Sequence, residues 1–445
     1  MDSEIRVFTH PDGTIQRVQR VTLENWEQLN FLNLNYSEGA LDCFAQILRQ
    51  YLIPACPWIF GQLVLFHTPR GLKIPFSSQT RYGAVGDDLT AAAAALKQGV
   101  RLVKGKPRFA NEQVRSFWEA LESQDCIRVV SGKLPTTQFI PVGNAPGFLT
   151  EAEKDAVMKV NASFFIMDPI DCATVYDHVG SCLGLMVKDG QVLNPPLYRR
   201  EALLVRKDGT VTVEEPDVCQ MDMEIGGISY RHGENATIYT RPERARTPRI
   251  SGTQLVIVGC RVAAVADKGS VPIPASGFVL CPQGECHAKP GDAVVYRGME
   301  DISFGIQVGN SILRDGVKTD RFRSRFYNIR HLEPVPFPPS LYPMDFQGGR
   351  AARIALGSNA QGKPMLVWAE GAPKLGYQAG QHSRGASLSD MADICAELAM
   401  VNAVNLDGGG SAQLLLNNWR SLEISDRNPD FSQSERPVPN ALIVK

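Results

Sequence analysis

Long apolar runs are missing from this sequence. The best candidates, around Ala91–Leu96 and Gln62–Phe66, fall far short of the roughly 18 residues that a spanning helix needs, so no membrane span is expected. An excess of either charge is missing too. The 46 basic and 47 acidic side chains leave a formal net charge of -1, which argues against a coat for nucleic acid or for an anionic membrane. No compact cysteine framework is present: Cys43, Cys56, Cys126, Cys172, Cys182, Cys219, Cys260, Cys281, Cys286 and Cys395 are scattered, mostly among apolar neighbours. The nearest approach to a metal pattern, Cys281-x4-Cys286-His287, lacks a second ligand pair, and a loop with reduced thiols is the better reading. The opening Met-Asp-Ser-Glu-Ile-Arg has neither the basic start nor the apolar core of a secretory signal, which sets a cytoplasmic expectation. Internal repeats and low-complexity tracts are absent as well. What remains is an ordinary folded composition, 44% hydrophobic, 21% charged and 8% aromatic, which excludes wholesale disorder. A chain of 445 residues has room for one large or two ordinary domains.

The first 150 residues read as a mixed α/β region of unassigned role. Leu41–Tyr51 carries apolar residues at helical spacing, Leu63–His67 reads as a short strand, and Asp88–Gln98 opens like a capped, alanine-rich helix. Residues 132–149, punctuated by glycine and proline, read as a connecting segment. From about residue 151 the character changes. Leu185–Lys188, Leu203–Lys207 and Ser311–Arg314 each run into an Asp-Gly pair, the dipeptide that supplies the positive φ angles of a tight hairpin turn. The expected class is therefore α+β: a strand-rich antiparallel domain with a few packed helices over residues 151–445. Residues 334–343 carry five prolines, which bar a central strand and predict a stiff loop leading to Arg350 and Arg353.

The chemistry concentrates in Gly385–Leu416. Ser387-Leu-Ser-Asp390 resembles a capping box, and Met391, Ile394, Cys395 and Leu398 then follow helical spacing, predicting a helix that ends near Asn402. Ala403–Leu406 reads as a buried strand, followed by Asp407-Gly408-Gly409-Gly410-Ser411 and a second apolar run, Leu414–Leu416. This order places one carboxylate at a strand tip, beside backbone almost bare of side chains. Three successive glycines are entropically unfavourable unless backbone must approach something closely, and free N–H groups in such a loop suit a phosphate or a sugar oxygen. Four other Asp-Gly pairs, at Asp12, Asp189, Asp208 and Asp315, read as plain turns and show what the bare dipeptide means elsewhere in the chain.

The segment Asn405-Leu-Asp-Gly-Gly-Gly-Ser411 resembles the signature of the phosphodiester glycosidase family. The resemblance runs in order over about residues 155–445: Asn161-Ala-Ser-Phe164-Phe165 is similar to an opening Asn-Gly-Gly-Phe-Phe, Ile273–Leu280 to a middle strand, and Gly291-Asp292 to the Gly-Asp after it. Arg353-Ile-Ala-Leu-Gly357 is similar to the family's Arg-Thr-Ala-Ile-Gly, and Arg436–Leu442 to its closing strand. The resemblance implies a hydrolase that cleaves a glycosyl bond, with a sugar attached through a phosphodiester as substrate. It also implies that Arg353, Asp407 and the loop of Gly408, Gly409, Gly410 and Ser411 line the site, with Asn161 close by.

Elementary chemistry agrees with that cast. Arg353 offers a permanently charged fork of donors suited to a phosphate diester, and Asn161 suits a sugar hydroxyl or, equally, a turn-stabilising bond to backbone. Glycoside cleavage ordinarily takes two carboxyl groups, although a phosphate leaving group departs as a stable anion and relaxes the need for an acid. Asp407 is the first carboxyl; Glu370, after the apolar run Met365–Ala369, is the candidate for the second, at a position where family members tend to carry Asp-Gly. His382 and Arg384, just before the capping box, are candidate substrate contacts. No cofactor is expected, and a divalent cation stays open because Asp407 and Ser411 offer oxygens without a full ligand set. Ala162-Ser163 and Ile354 depart from the family pattern by adding bulk and removing a hydroxyl. Those departures keep two other readings open, a non-catalytic binder of phosphorylated glycans and a scaffold component of a larger assembly.

Overall fold

The computed structural model describes residues 1–34, 147–166, 180–319, 349–425 and 435–445, apart from single positions and one pair, together with short pieces between these ranges. The expected helices Leu41–Tyr51 and Asp88–Gln98, and the proline-rich loop 334–343, lie outside the described residues, as does most of 132–149. Of the expected strand Leu63–His67, the residues Val64–Phe66 form one.

The described residues are mostly β, and every pair of named strands is antiparallel. They hold one α-helix, Leu388–Glu397. The described residues are thus more strand-dominated than an α+β expectation with several helices, with which they are otherwise compatible. Its central sheet has seven strands in the order Asp2–Thr9, Ile15–Thr22, Pro364–Ala369, Arg353–Asn359, Met400–Asn405, Ser311–Arg314 and Val317–Lys318. The middle of this sheet is buried on both faces, which is why Pro364–Ala369 and Arg353–Leu356 read as near-continuous apolar runs rather than alternations. Ile354, Leu356, Leu366 and Trp368 face the main core, while Ala355, Met365, Val367 and Ala369 face the helix. The helix closes that second face with Met391, Ile394, Cys395 and Leu398, each burial of a large apolar side chain being worth about 1.5–3 kcal/mol.

Gly357 permits the closest strand contact in this sheet. A Cβ there would lie 1.7 Å from the Asn402 carbonyl oxygen, so only glycine lets the two backbones pair. The capping box is formed as expected, with Ser387 and Asp390 exchanging bonds. The helix stops earlier than expected: Ala399 turns at φ 63°, and the strand begins at Met400, where pairing with Asn359 takes over.

A second sheet runs Leu414–Leu416, Met158–Asn161, Asn440–Val444 and Asn30–Asn33. The first 34 residues thus contribute strands to both sheets: Ile15–Thr22 pairs with Pro364–Ala369, and Asn30–Asn33 with Asn440–Val444. Three Asp-Gly hairpins take the places predicted for them, at 189–190, 208–209 and 315–316. Asp189 and Gly190, at φ 51° and 81°, have the two positive angles of a mirror-image turn.

Candidate active site

Asp407 stands where the two sheets meet. The strand Met400–Asn405 pairs with Arg353–Asn359, and the Leu406 N–H still donates to the Ile354 carbonyl (2.8 Å). One residue later the chain changes partner: the Asp407 N–H donates to the Ala162 carbonyl (3.0 Å), at the end of the second sheet's central strand. Asn161 fastens the junction. Its Nδ2 donates to the Asp407 carbonyl (2.8 Å) and its Oδ1 accepts from the Gln413 N–H (2.9 Å). At 1% exposure, with both ends of its amide bonded to backbone, Asn161 holds the turn that carries Asp407; the sugar contact open to it in the sequence reading is not the use the fold makes of it.

The glycines serve close packing. A Cβ on Gly408 would meet the Ala352 carbonyl oxygen at 2.8 Å and lie 3.5 Å from Arg353 Cδ, and Gly409 adopts φ 60°. The loop winds into a short turn, Gly409–Ser411, in which the Gly409 N–H donates to Ala352 (2.7 Å) and the Ser411 N–H to Gly408 (3.1 Å). These two amides are therefore committed within the protein. The expected cradle of free N–H groups is replaced at those positions by a tightly seated strand exit that fixes the carboxyl's direction.

Electrostatics at Asp407 are set by burial. The side chain is 8% exposed, and loss of water raises its pKa from an ordinary 3.8 to about 7. Opposing that rise, in order of strength, are the Ser411 hydroxyl, the Arg436 charge, the Gly408 N–H and the Arg353 charge. Ser411 stands near enough to act on the carboxyl yet short of hydrogen-bond geometry with it. Asp407 Oδ2 and Ser411 Oγ are both buried without a hydrogen-bond partner among the described residues. Two adjacent buried oxygens in that condition retain hydrogen-bonding capacity that a bound water or substrate hydroxyl can take up. Arg353 is 6% exposed and is held by the Ala386 carbonyl (Nε, 3.3 Å) and the Gly349 carbonyl (Nη2, 3.2 Å).

Glu370, the candidate second carboxyl, follows the strand Pro364–Ala369. Its carboxylate is buried but fully employed: Oε2 accepts from Ser383 Oγ (2.6 Å) and Arg17 Nη1 (3.1 Å), and Oε1 from the Glu423 N–H (2.9 Å). It ties the N-terminal hairpin to the strand Pro364–Ala369 and to the chain at Glu423. Arg384 is likewise engaged, with Asp390 (2.9 Å) at the helix start and with Asp12 (3.7 Å) on the first hairpin. His382 closes its own turn, its Nδ1 accepting from the Gln378 N–H (3.0 Å). The structure thus brings Asp407, Ser411, Arg353, the glycines and Asn161 together, and engages Glu370, His382 and Arg384 in contacts of their own.

The departures from the family pattern do not crowd this place. Ala162 and Ile354 point into the main core. Ser163 turns toward Asn440, whose Nδ2 donates to its Oγ (2.6 Å) and whose Oδ1 accepts its N–H (3.0 Å). Sequence reasoning did not single out Arg436, whose charge acts on Asp407. The sequence signal was present, an arginine opening the closing segment as Arg353 opens its strand, but nothing local ties it to Asp407. Among the described residues no three His, Cys, Asp or Glu side chains gather to hold an ion.

Residues 262–445 match the family model described as phosphodiester glycosidase. An 80-residue stretch is 36% identical to the mouse N-acetylglucosamine-1-phosphodiester alpha-N-acetylglucosaminidase, and the human protein matches equally. That stretch covers 18% of this chain and 14% of either relative. Among solved structures, the zebrafish N-acetylglucosamine-1-phosphodiester alpha-N-acetylglucosaminidase catalytic domain, auto-inhibited by its pro-peptide, is 13% identical with a TM-score of 0.38, over 100% of this chain and 82% of that one. A hypothetical protein from Synechocystis is 15% identical with a TM-score of 0.44, over 100% of this chain and 62% of that one.

Proposed function

We propose, from the premise that residues 262–445 carry a phosphodiester glycosidase domain, that this chain hydrolyses the glycosyl bond of a sugar attached through a phosphodiester. The observation that carries the reading is the buried Asp407 carboxyl, with one oxygen and the neighbouring Ser411 hydroxyl unpartnered and two arginines near enough to act on it. A carboxyl with a pKa near 7 is matched to proton transfer at neutral pH.

The chemistry needs one such group. Water attacks the anomeric carbon and ionised Asp407 takes its proton. The bond from that carbon to the phosphate oxygen breaks, and its electron pair leaves on the phosphate. The products are the free sugar, with a new hydroxyl, and a phosphomonoester. The leaving group is already a stable anion, so no acid is required on its side, in keeping with a Glu370 engaged elsewhere. Ser411 Oγ is placed to bond the attacking water, and Arg353 keeps a positive charge near the reacting centre.

The test is sugar release from an N-acetylglucosamine-1-phosphodiester by the full chain and by Asp407→Asn. The substitution keeps size and removes charge, so turnover falls by about a hundredfold or more. Unchanged turnover refutes the assignment. A protein that binds the diester with Asp407→Asn affinity within a few-fold, and never releases sugar, is a binder.

A further inference from the structure

The strand Asp2–Thr9 lies at one end of the seven-stranded sheet and, among the described strands, pairs only with Ile15–Thr22. The hairpin decides which of its backbone groups are left over, because an antiparallel ladder alternates between residue pairs that exchange hydrogen bonds and pairs that do not. The His10 N–H donates to the Thr14 carbonyl (2.9 Å), and the register then runs unbroken from Thr9↔Ile15 to Asp2↔Thr22. The bonded pairs are therefore Phe8–Gln16, Arg6–Val18, Glu4–Arg20 and Asp2–Thr22. The far side of the second strand agrees: there the Glu370 N–H donates to Arg17 and the Leu23 N–H to Pro364. Ser3, Ile5, Val7 and Thr9 thus turn their N–H and C=O groups to the open edge, and the Ile5 and Val7 side chains are 48% and 56% exposed. Natural sheets blunt such edges with short strands, prolines or bulges. The opposite end of this sheet, Val317–Lys318, has two residues; Asp2–Thr9 has eight, with neither proline nor bulge.

We infer that this edge is where two copies of the chain pair, antiparallel about a two-fold axis at Ile5, joining their central sheets into one. The inference stands independently of the reaction proposed above. Charge chooses both the occupant and the register, since Glu4-Ile5-Arg6 is its own complement when reversed. With Ile5 opposite the partner's Ile5, Glu4 of each copy faces the partner's Arg6 in the closely spaced, non-bonded pairs of the ladder. The two nearest registers that still match the outward groups fail this test. Pairing Ile5 with the partner's Ser3 sets Glu4 against Glu4, and pairing it with the partner's Val7 sets Arg6 against Arg6, like charges directly opposite each other. Within one copy Glu4 and Arg6 already form an ion pair (2.8 Å), so the dimer sets two such pairs head to tail. Ser3, Ile5 and Val7 of the two strands then exchange about six backbone hydrogen bonds, and their apolar side chains cover one another.

The experiment is sedimentation equilibrium of the full chain and of Ile5→Pro, with mild oxidation of Ile5→Cys and Val7→Cys. The wild type should pass from the mass of one chain to twice that mass within about 1–100 μM, the strength expected at the small end of specific interfaces. Ile5→Pro removes an N–H that the hairpin does not use, so it should weaken association by about tenfold or more and leave thermal unfolding cooperative. Ile5→Cys should form an intermolecular disulfide, because directly opposed bonded residues stand about 5.5 Å apart between Cα atoms. Val7→Cys, which lies opposite the partner's Ser3, should form none beyond the wild-type background. If Ile5→Pro does not fold, the two cysteine variants decide the matter alone. A chain that stays monomeric throughout overturns the inference and leaves the edge to a strand of a different protein. A folded Ile5→Pro that dimerises undiminished, or a disulfide as ready at Val7→Cys as at Ile5→Cys, overturns it as well.

Discussion

Replacing Asp407 by Asn should make the protein more stable, and by an amount that depends on pH. The native carboxyl holds its proton up to about 7, against 3.8 without the surrounding protein, because burial disfavours the charge. Between those values the unfolded chain has lost a proton that the native state keeps. The native state binds more protons there, so wild-type stability falls as pH rises, and the fall is complete once the native carboxyl ionises. At about 1.4 kcal/mol per pH unit, the interval from 3.8 to about 7 corresponds to about 4 kcal/mol. Asn carries no titrating proton, so the two proteins should differ little in their pH trend below pH 4, diverge through pH 4–7, and run parallel above it. Denaturant unfolding at half-unit pH steps measures this directly. A stability difference that stays constant across pH 4–7 would mean that the carboxyl is not buried as described, and the catalytic argument would lose its physical basis.

Other expectations follow from the same contacts. Glu370→Gln should lower stability by about 2 kcal/mol, since it weakens bonds to Arg17 and Ser383 inside the protein, while leaving turnover within a few-fold; loss of turnover without loss of stability would return Glu370 to the reaction. Gly408→Ala places a methyl 2.8 Å from the Ala352 carbonyl oxygen and against Arg353, so it should both destabilise, by about 1–3 kcal/mol, and reduce turnover by shifting Asp407. Unaltered thermal unfolding and kinetics for that variant would show that the glycine is there for something other than close packing.

Local signals were legible in the sequence and distant ones were not. The capping box, the Asp-Gly hairpins and Asp407 at a strand exit each depend on a few neighbouring residues, and each stands where the residues pointed. Glu370 stands at a strand end as expected, yet a strand end does not say who waits opposite. The partner is Arg17, on a hairpin 353 residues earlier in the chain. Arg436 was hidden for the same reason, because only the pairing of Asn440–Val444 with Met158–Asn161 brings the closing segment beside the Asp407 turn. The first hairpin shows the effect on a larger scale. Its alternation marks strands, but membership of the central sheet is decided by Val18–Thr22 lying against Met365–Ala369. Asn161 was legible as a choice between sugar and backbone, and the fold made that choice through Gln413 and Asp407.

The central claim is that a single buried carboxyl, acting as base, does the proton transfer. The pH dependence of kcat/KM for an N-acetylglucosamine-1-phosphodiester tests it most directly. The rate should climb about tenfold per pH unit below 7, level off near that value, and lose this limb in Asp407→Asn but keep it in Glu370→Gln. A rate that instead falls as pH rises through 7, or a limb abolished by Glu370→Gln and untouched by Asp407→Asn, contradicts the claim.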